Sequence, residues 1–166
     1  MSTDEVLKRF DEVLNYFDNS NIKYLLDSIA LEVIVKGSFY GYVIDCKNCF
    51  SIQQLPSKYC RSRFNKGSIP TVEFNLKFFD SEFRDTQYRM KVLDMFPKEI
   101  QKAYVLYKEG QLPPEQAGDS AGWYLLTPEK TVKFNVNKSD CPILINTIPA
   151  ILDLEASQEL ERKKAL

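Results

Sequence analysis

The chain has 166 residues, 44% of them hydrophobic and 13% aromatic, which excludes a disordered polypeptide and predicts one domain large enough to bury its own core. Its 22 basic and 23 acidic residues give a formal net charge of -1, so the positive field that drives phosphate binding by counterion release is missing, which argues against a sequence-specific DNA binder. No apolar run approaches the ~18 residues of a membrane span, and the opening Met1-Ser2-Thr3-Asp4-Glu5 is acidic where a secretory signal is basic and then apolar, so an intracellular product is expected.

Taken in chain order, residues 1–17 read as an amphipathic helix with Val6, Phe10, Val13, Leu14 and Phe17 at helical spacing, stopped by Asp18-Asn19-Ser20-Asn21. A second helix is predicted from Ile22 to Lys36, with Ile22, Leu25, Leu26, Ile29 and Val33 on one face and Gly37 past its end. Two helices joined by a short polar turn are expected to pack antiparallel, with both apolar stripes in the core. From Ser38 the period changes to that of strands. Phe39–Ile44 and Cys49–Leu55 form a hairpin across Asp45–Asn48, and Pro56 ends its second strand.

An irregular piece then carries Tyr59, Cys60 and Arg61, and Asn65-Lys66-Gly67 turns the chain into a strand over Thr71–Phe79, whose alternation fits a sheet wet on one face. Helices return at Arg84–Asp94 and Pro97–Glu109, the latter burying Ile100, Ala103, Tyr104 and Tyr107. Residues 111–122, rich in Pro, Gly and polar groups, read as a flexible loop. Trp123–Leu126 and Thr131–Val136 read as a second hairpin across Thr127–Lys130. Cys141–Pro149 is apolar but broken by prolines, an irregular crossing rather than a strand. Ile151–Leu166 starts a helix that carries no C-terminal stop signal, so the 166 residues are expected to be the N-terminal fragment of a longer protein. The fold class is α+β: an N-terminal helix pair, antiparallel hairpins in a small sheet, a central helix pair and a C-terminal helix, in one domain.

The chain has no histidine, which removes Ser-His and Cys-His mechanisms and the commonest metal ligand. Zinc would therefore need all four thiolates, Cys46, Cys49, Cys60 and Cys141. Cys46-Lys47-Asn48-Cys49 has the spacing of a zinc knuckle, whereas Cys60 and Cys141 form no second such pair; the plain alternative is reduced thiols. Asp80, Glu82 and Asp85 are candidate oxygen ligands for a cation, or carboxylates favouring a helix start. Glu161–Lys164 reads as a solvated face. No catalytic residue and no cofactor is assigned.

The order of short motifs is more specific than any one of them. Leu55-Pro56-Ser57-Lys58-Tyr59-Cys60-Arg61 after the first hairpin, the strand Val72–Phe79, Met95-Phe96-Pro97-Lys98-Glu99-Ile100 with Tyr104-Val105-Leu106-Tyr107, and Trp123-Tyr124-Leu125-Leu126-Thr127-Pro128 together resemble the N-terminal, wing-like part of tailed-bacteriophage portal proteins, from about Ala30 onward. The passage from Pro142–Leu152 into Asp153-Leu154-Glu155 and Glu161-Arg162-Lys163-Lys164 looks like the family's transition toward its long helices.

The resemblance implies a non-enzymatic virion protein, made in the host cytoplasm. Its copies would form a ring, of about twelve subunits in that family, as the head-to-tail connector through which DNA is packaged and ejected. Its implied partners are itself, other phage head, packaging-motor and tail proteins, and DNA passing without sequence-specific binding; no membrane is implied. Tyr59 and Arg61 are candidate subunit contacts, an aromatic beside a guanidinium being a common interface anchor, with stacking inside one fold as the alternative. The alternatives to a portal are another phage head or tail structural protein and an interaction module stabilised by cysteine-bound zinc.

Overall fold

A computed structural model describes residues 3–67, 69–112, 122–136, 141, 142, 145, 147, 149 and 152–155. Two helices open the chain, α1 (Thr3–Asn19) and α2 (Ile22–Lys36), followed by the hairpin β1 (Ser38–Asp45) and β2 (Phe50–Leu55). A 3-10 turn at Ser57–Tyr59 leads into the short strand β3 (Cys60–Arg61), the small hairpin β4 (Asn65–Lys66) and β5 (Ile69–Pro70), and β6 (Glu73–Asn75). Then come α3 (Phe78–Glu82), α4 (Thr86–Asp94), α5 (Lys98–Lys108), β7 (Trp123–Leu125), a second 3-10 turn at Pro128–Lys130, and β8 (Thr131–Asn135). This is the α+β class, with an N-terminal helix pair and small antiparallel sheets.

The strands form two three-stranded antiparallel sheets, in the orders β2-β1-β8 and β3-β6-β7. The β1–β2 register pairs Tyr40 with Leu55 and Asp45 with Phe50, and Gly41 sits where a Cβ would collide with the Ile52 and Phe39 side chains, so only glycine fits. The main core lies where the β3-β6-β7 sheet meets α3, α4 and α5. Leu55, Val72, Phe74, Leu76, Phe79, Ile100 and Leu126 are completely buried in it. Phe74, Phe78, Phe79 and Phe96 pack mostly edge-on or tilted with ring centres 5.1 to 6.1 Å apart, the offset geometry that ring quadrupoles favour. A smaller core joins Ile29 and Val33 of α2 to Phe39 of β1, with Leu25, Ile52 and Val132 against them.

Four expectations are corrected. First, α1 and α2 form where the spacing predicts, but they are not a packed antiparallel pair: every α1 side chain from Glu5 to Asn19 except Tyr16 is exposed. Asn21, in the left-handed region at φ 47°, ψ 48°, reorients the chain between them. The end of α1 is held through Tyr16 and Phe17 against the Phe50 ring, by the Phe50 N–H donating to Ser20 Oγ at 2.9 Å, and by Asn19 Nδ2 donating to the Asn48 carbonyl at 3.4 Å.

Second, the strand over Thr71–Phe79 shrinks to Glu73–Asn75. Asn75 Oδ1 accepts the Lys77 N–H at 3.0 Å, an Asx turn that ends the ladder, and Phe78 and Phe79 enter α3. Third, that strand is not wet on one face, because Thr71, Val72, Glu73 and Phe74 are all buried. Fourth, β7 and β8 are not a hairpin: β7 pairs with β6, and β8 crosses to β1. The cause is Glu99, whose Oε1 accepts the Thr127 N–H and hydroxyl at 2.8 and 2.9 Å and turns the chain out of one sheet toward the other.

The helix predicted from Arg84 begins at Thr86, where Asp85 accepts the Gln87 N–H at 2.8 Å. In α5, Ile100, Ala103 and Tyr104 are buried as expected, and Tyr107 is half-buried against them. Most of the predicted loop at 111–122, four of the nine residues of 141–149 and most of the C-terminal helix lie outside the described residues, as does Glu161–Lys164.

Candidate functional site

The stretch that carries the resemblance folds around a buried carboxylate. Glu73, on β6, is 2% exposed and lies opposite Arg61 of β3 in the ladder. The Arg61 Nε donates to Glu73 Oε2 at 2.6 Å, and Arg63 donates to Oε1 from Nε at 3.0 Å and from Nη2 at 2.7 Å. Each carboxylate oxygen thus has its own guanidinium, the condition under which a buried charge is tolerated. The Arg61 guanidinium also lies 3.9 Å from the centre of the Trp123 ring, and Trp123 is placed there by the pairing of Asn75 with it across β6 and β7.

Tyr59, the other candidate contact, is engaged inside the chain as well: its ring meets Phe78 edge-on at 5.2 Å and its hydroxyl donates to Glu82 Oε1 at 2.6 Å. Arg61 therefore stacks on Trp123 rather than on Tyr59. Two shallow cavities of about 390 and 400 Å³ flank the ion network and meet at Ser62; Lys36, Lys58 and Arg61 line one, Arg63 and Lys133 the other. Lys36 is paired with Glu32, and Lys58 lies 3.5 Å from Glu82, so the surface is polar and only mildly basic.

The four cysteines are not brought together. Cys46 and Cys49 are joined as a disulfide across the tip of the β1–β2 hairpin, with Cα atoms 5.1 Å apart, so the reduced-thiol expectation does not hold for this pair. Cys60 is buried in the main core, where burial pushes its thiol far above the ordinary cysteine value, and Cys141 is exposed. Among the described residues no group of three or more His, Cys, Asp or Glu gathers to hold a metal ion.

Asp80, Glu82 and Asp85 likewise go to three separate tasks. Asp80 receives Arg89 Nη1 at 2.9 Å, Lys108 Nζ at 2.8 Å and the Tyr104 hydroxyl at 2.8 Å. Burial alone would raise its carboxyl, but the hydrogen bonds from Lys108 and Tyr104 and the charges of Lys108 and Arg89 outweigh it, and the group titrates below the usual carboxylate range. Glu82 serves Tyr59, and Asp85 caps α4.

The N-terminal helices leave apolar side chains uncovered. The α1 stripe runs from 38% exposed at Phe17 to 58% at Phe10. On α2, Tyr24, Leu31, Ile34 and Val35 are exposed away from the face that Ile29 and Val33 bury, and Leu26, on the predicted buried face, is exposed as well, so this helix is apolar nearly all round while part of one side is covered. Between α4 and α5 lies a groove of about 460 Å³ lined by Met90, Leu93, Val105 and Leu106, with Asp94, Gln101 and Lys102 at its edge. The spacing along α1 identifies which residues form its stripe; nothing local in the sequence marks the groove, which exists only once α4 and α5 are packed.

No family model matches the chain, and no curated protein or solved structure matches it. No helix among the described residues is long and apolar enough to cross a membrane.

Proposed function

We propose that this chain is an assembly-forming structural protein and, by the order of its motifs, the wing-like part of a tailed-bacteriophage portal, the ring that connects head to tail. The observation that carries the assembly role is the uncovered apolar surface of α1 and α2. Exposed apolar side chains repeated along two helices mark an interaction surface, because a monomer leaves them in water at a cost of about 25 cal/mol per Å².

The portal assignment draws on the motif order, and the motifs prove to be parts of one packed unit. Leu55, Cys60, Phe74, Phe96, Ile100, Tyr104, Tyr124 and Leu126, taken from the segments between Leu55 and Pro128 that carry the resemblance, pack into a single core. The near-neutral charge suits a channel wall past which DNA slides, since tight phosphate contacts would oppose movement. On this assignment the protein acts in the virion and in the host cytoplasm during assembly, with itself and other head, motor and tail proteins as partners, and needs no cofactor or active site.

The test is the assembly state of the protein as produced from its own gene, measured by light scattering and electron microscopy. A closed ring with a central channel is expected. A particle that stays monomeric at every concentration would overturn both the ring and the assembly role, and an assembly without a channel would leave another phage structural protein as the answer.

A further inference from the structure

We infer that the Cys46–Cys49 disulfide is a redox latch: closed, it holds the tip of the β1–β2 hairpin in the shape on which the end of α1 docks, and opened by a thiol reductant it releases α1. The inference does not depend on the assembly role proposed above. Cys46 and Cys49 carry the β1–β2 register one step past Asp45 and Phe50, with the Cys46 N–H donating to the Cys49 carbonyl at 2.9 Å and Lys47 and Asn48 as the loop between them. Cys46, Lys47 and Asn48 are exposed and Cys49 is half-buried, so a reductant reaches the bridge from solvent.

The loop sequence does not favour this closure by itself. Two-residue hairpin loops match the twist of their strands when one or both loop residues have positive φ, which is why Asn-Gly and Gly-X pairs lead there. Among the described residues Asn21 is the one non-glycine with positive φ, so Lys47 and Asn48 both have negative φ, the backbone that splays the two strands. The covalent bridge supplies the closure that turn chemistry leaves out.

The element that rests on this tip is α1. Asn48, inside the bridged loop, accepts from Asn19 Nδ2 at 3.4 Å. Phe50, next to Cys49, donates its N–H to Ser20 Oγ at 2.9 Å and stacks its ring on Tyr16 with centres 5.6 Å apart. Ser20 Oγ in turn donates to the Tyr16 carbonyl at 2.7 Å, which ties Phe50 into the last turn of the helix. Asn21 then joins α1 to α2 through a single left-handed residue, so the hairpin tip, and not a continuation of α2, fixes where α1 points.

Opening is thiol–disulfide exchange. A thiolate of glutathione or of a small dithiol attacks the exposed Cys46 Sγ, the bond between the two sulfurs breaks, and Cys49 leaves as a thiolate that takes a proton from water. A second reductant thiolate displaces Cys46 from the mixed disulfide. The bridge gains two electrons and two protons to become two thiols, and the reductant departs as its own disulfide. Exposed bridges are the labile and regulatory ones, and Cys60, buried in the main core, takes no part.

The experiment measures amide hydrogen exchange of the full-length protein, oxidised and then reduced with dithiothreitol, with alkylation and mass spectrometry to read the state of each cysteine. Reduction is expected to speed exchange across residues 16–21 and 46–50 by about tenfold or more, the scale of losing one or two hydrogen bonds, to leave the segments around Phe74 and Ile100 unchanged, and to be undone by reoxidation. The double variant Cys46→Ser with Cys49→Ser is expected to exchange at the reduced rate with or without reductant. Phe50→Ala is expected to free α1 while the bridge is closed, so that reduction adds nothing further in residues 16–21. Equal exchange in the two redox states would overturn the latch. Acceleration that spreads into the core would overturn it too, by making the bridge a staple of the whole fold, and so would a bridge that stays closed at every cytosolic ratio of reduced to oxidised glutathione.

Discussion

The aromatic core and the N-terminal helices are built from similar residues and have opposite fates. Around Phe74, every ring is enclosed by others from β6, α3 and the α4–α5 junction, whereas Phe10, at equally regular spacing on α1, is 58% exposed and Phe17 meets the Phe50 ring at one edge. The difference lies in topology. The core segments return to one another through ladder pairs and tight turns, such as β3 to β6 and β6 to β7, while α1 meets the first hairpin at its last turn. Amphipathic spacing states which side of an element is apolar; it does not state whose surface will cover that side.

The contrast is broken most severely by removing a ring from the core. Phe74→Ala deletes a completely buried side chain that touches Phe78, Phe79 and Phe96, and is expected to cost about 3–5 kcal/mol, read by chemical denaturation. A loss below 1 kcal/mol would mean that the rings are not packed as described.

The ion network should be nearly as sensitive, in a way that depends on which partner goes. The double substitution Arg61→Ala with Arg63→Ala strands the Glu73 carboxylate, 2% exposed, without a cation and is expected to cost about 3 kcal/mol or more. Adding Glu73→Leu to that variant should recover most of the loss, since a buried charge without a partner is worse than no charge at all. If the triple variant is as unstable as the double, the penalty comes from packing on Trp123 and not from the charge.

Asp80 ties α3 to α4 and α5 with a smaller effect. Asp80→Asn weakens two ion pairs and a tyrosine hydrogen bond at a partly exposed position, for an expected loss of about 1 kcal/mol at neutral pH. Its folded-state carboxyl titrates below the ordinary value near 3.9, so its contribution is fully present above that pH and disappears as the pH falls through the depressed folded value. The melting temperatures of the two proteins should therefore converge below about pH 4. A difference unchanged at pH 3 would assign the loss to shape rather than charge.

How much of this was legible in the sequence follows the same division. Helices α1, α2, α4 and α5, the first hairpin and the buried face of α5 follow from periodicity and from Gly37, Pro56 and Asp85, whose backbone demands act within a few residues, whereas α3 lies where a strand is expected. The destination of β8 was not legible, because Thr127-Pro128-Glu129-Lys130 has ordinary turn chemistry and the redirecting contact comes from Glu99, 28 residues away. Alternation over Thr71–Phe79 misled in a similar way: Glu73 reads as a solvent-facing residue until Arg61 and Arg63 arrive from another strand to neutralise it. The paired arginine and tryptophan stretches were visible as motifs, but their meeting over Glu73 is a product of strand register.

The gentlest substitution separates the two regions most sharply. Phe10→Ser removes a ring of the same kind as Phe74, but from a site 58% exposed, so the folding stability of the isolated chain should change by no more than about 0.5 kcal/mol. The measurement is denaturation at a dilution where only single chains are present, repeated at a concentration where the unaltered protein assembles. Equal stability in the first condition and a lower melting temperature in the second is the expected pair of results, because a partner that binds only folded chains raises the apparent stability by mass action. A loss of several kcal/mol in dilute solution would instead mean that α1 folds onto its own body, and that its exposed stripe is not the surface through which copies meet.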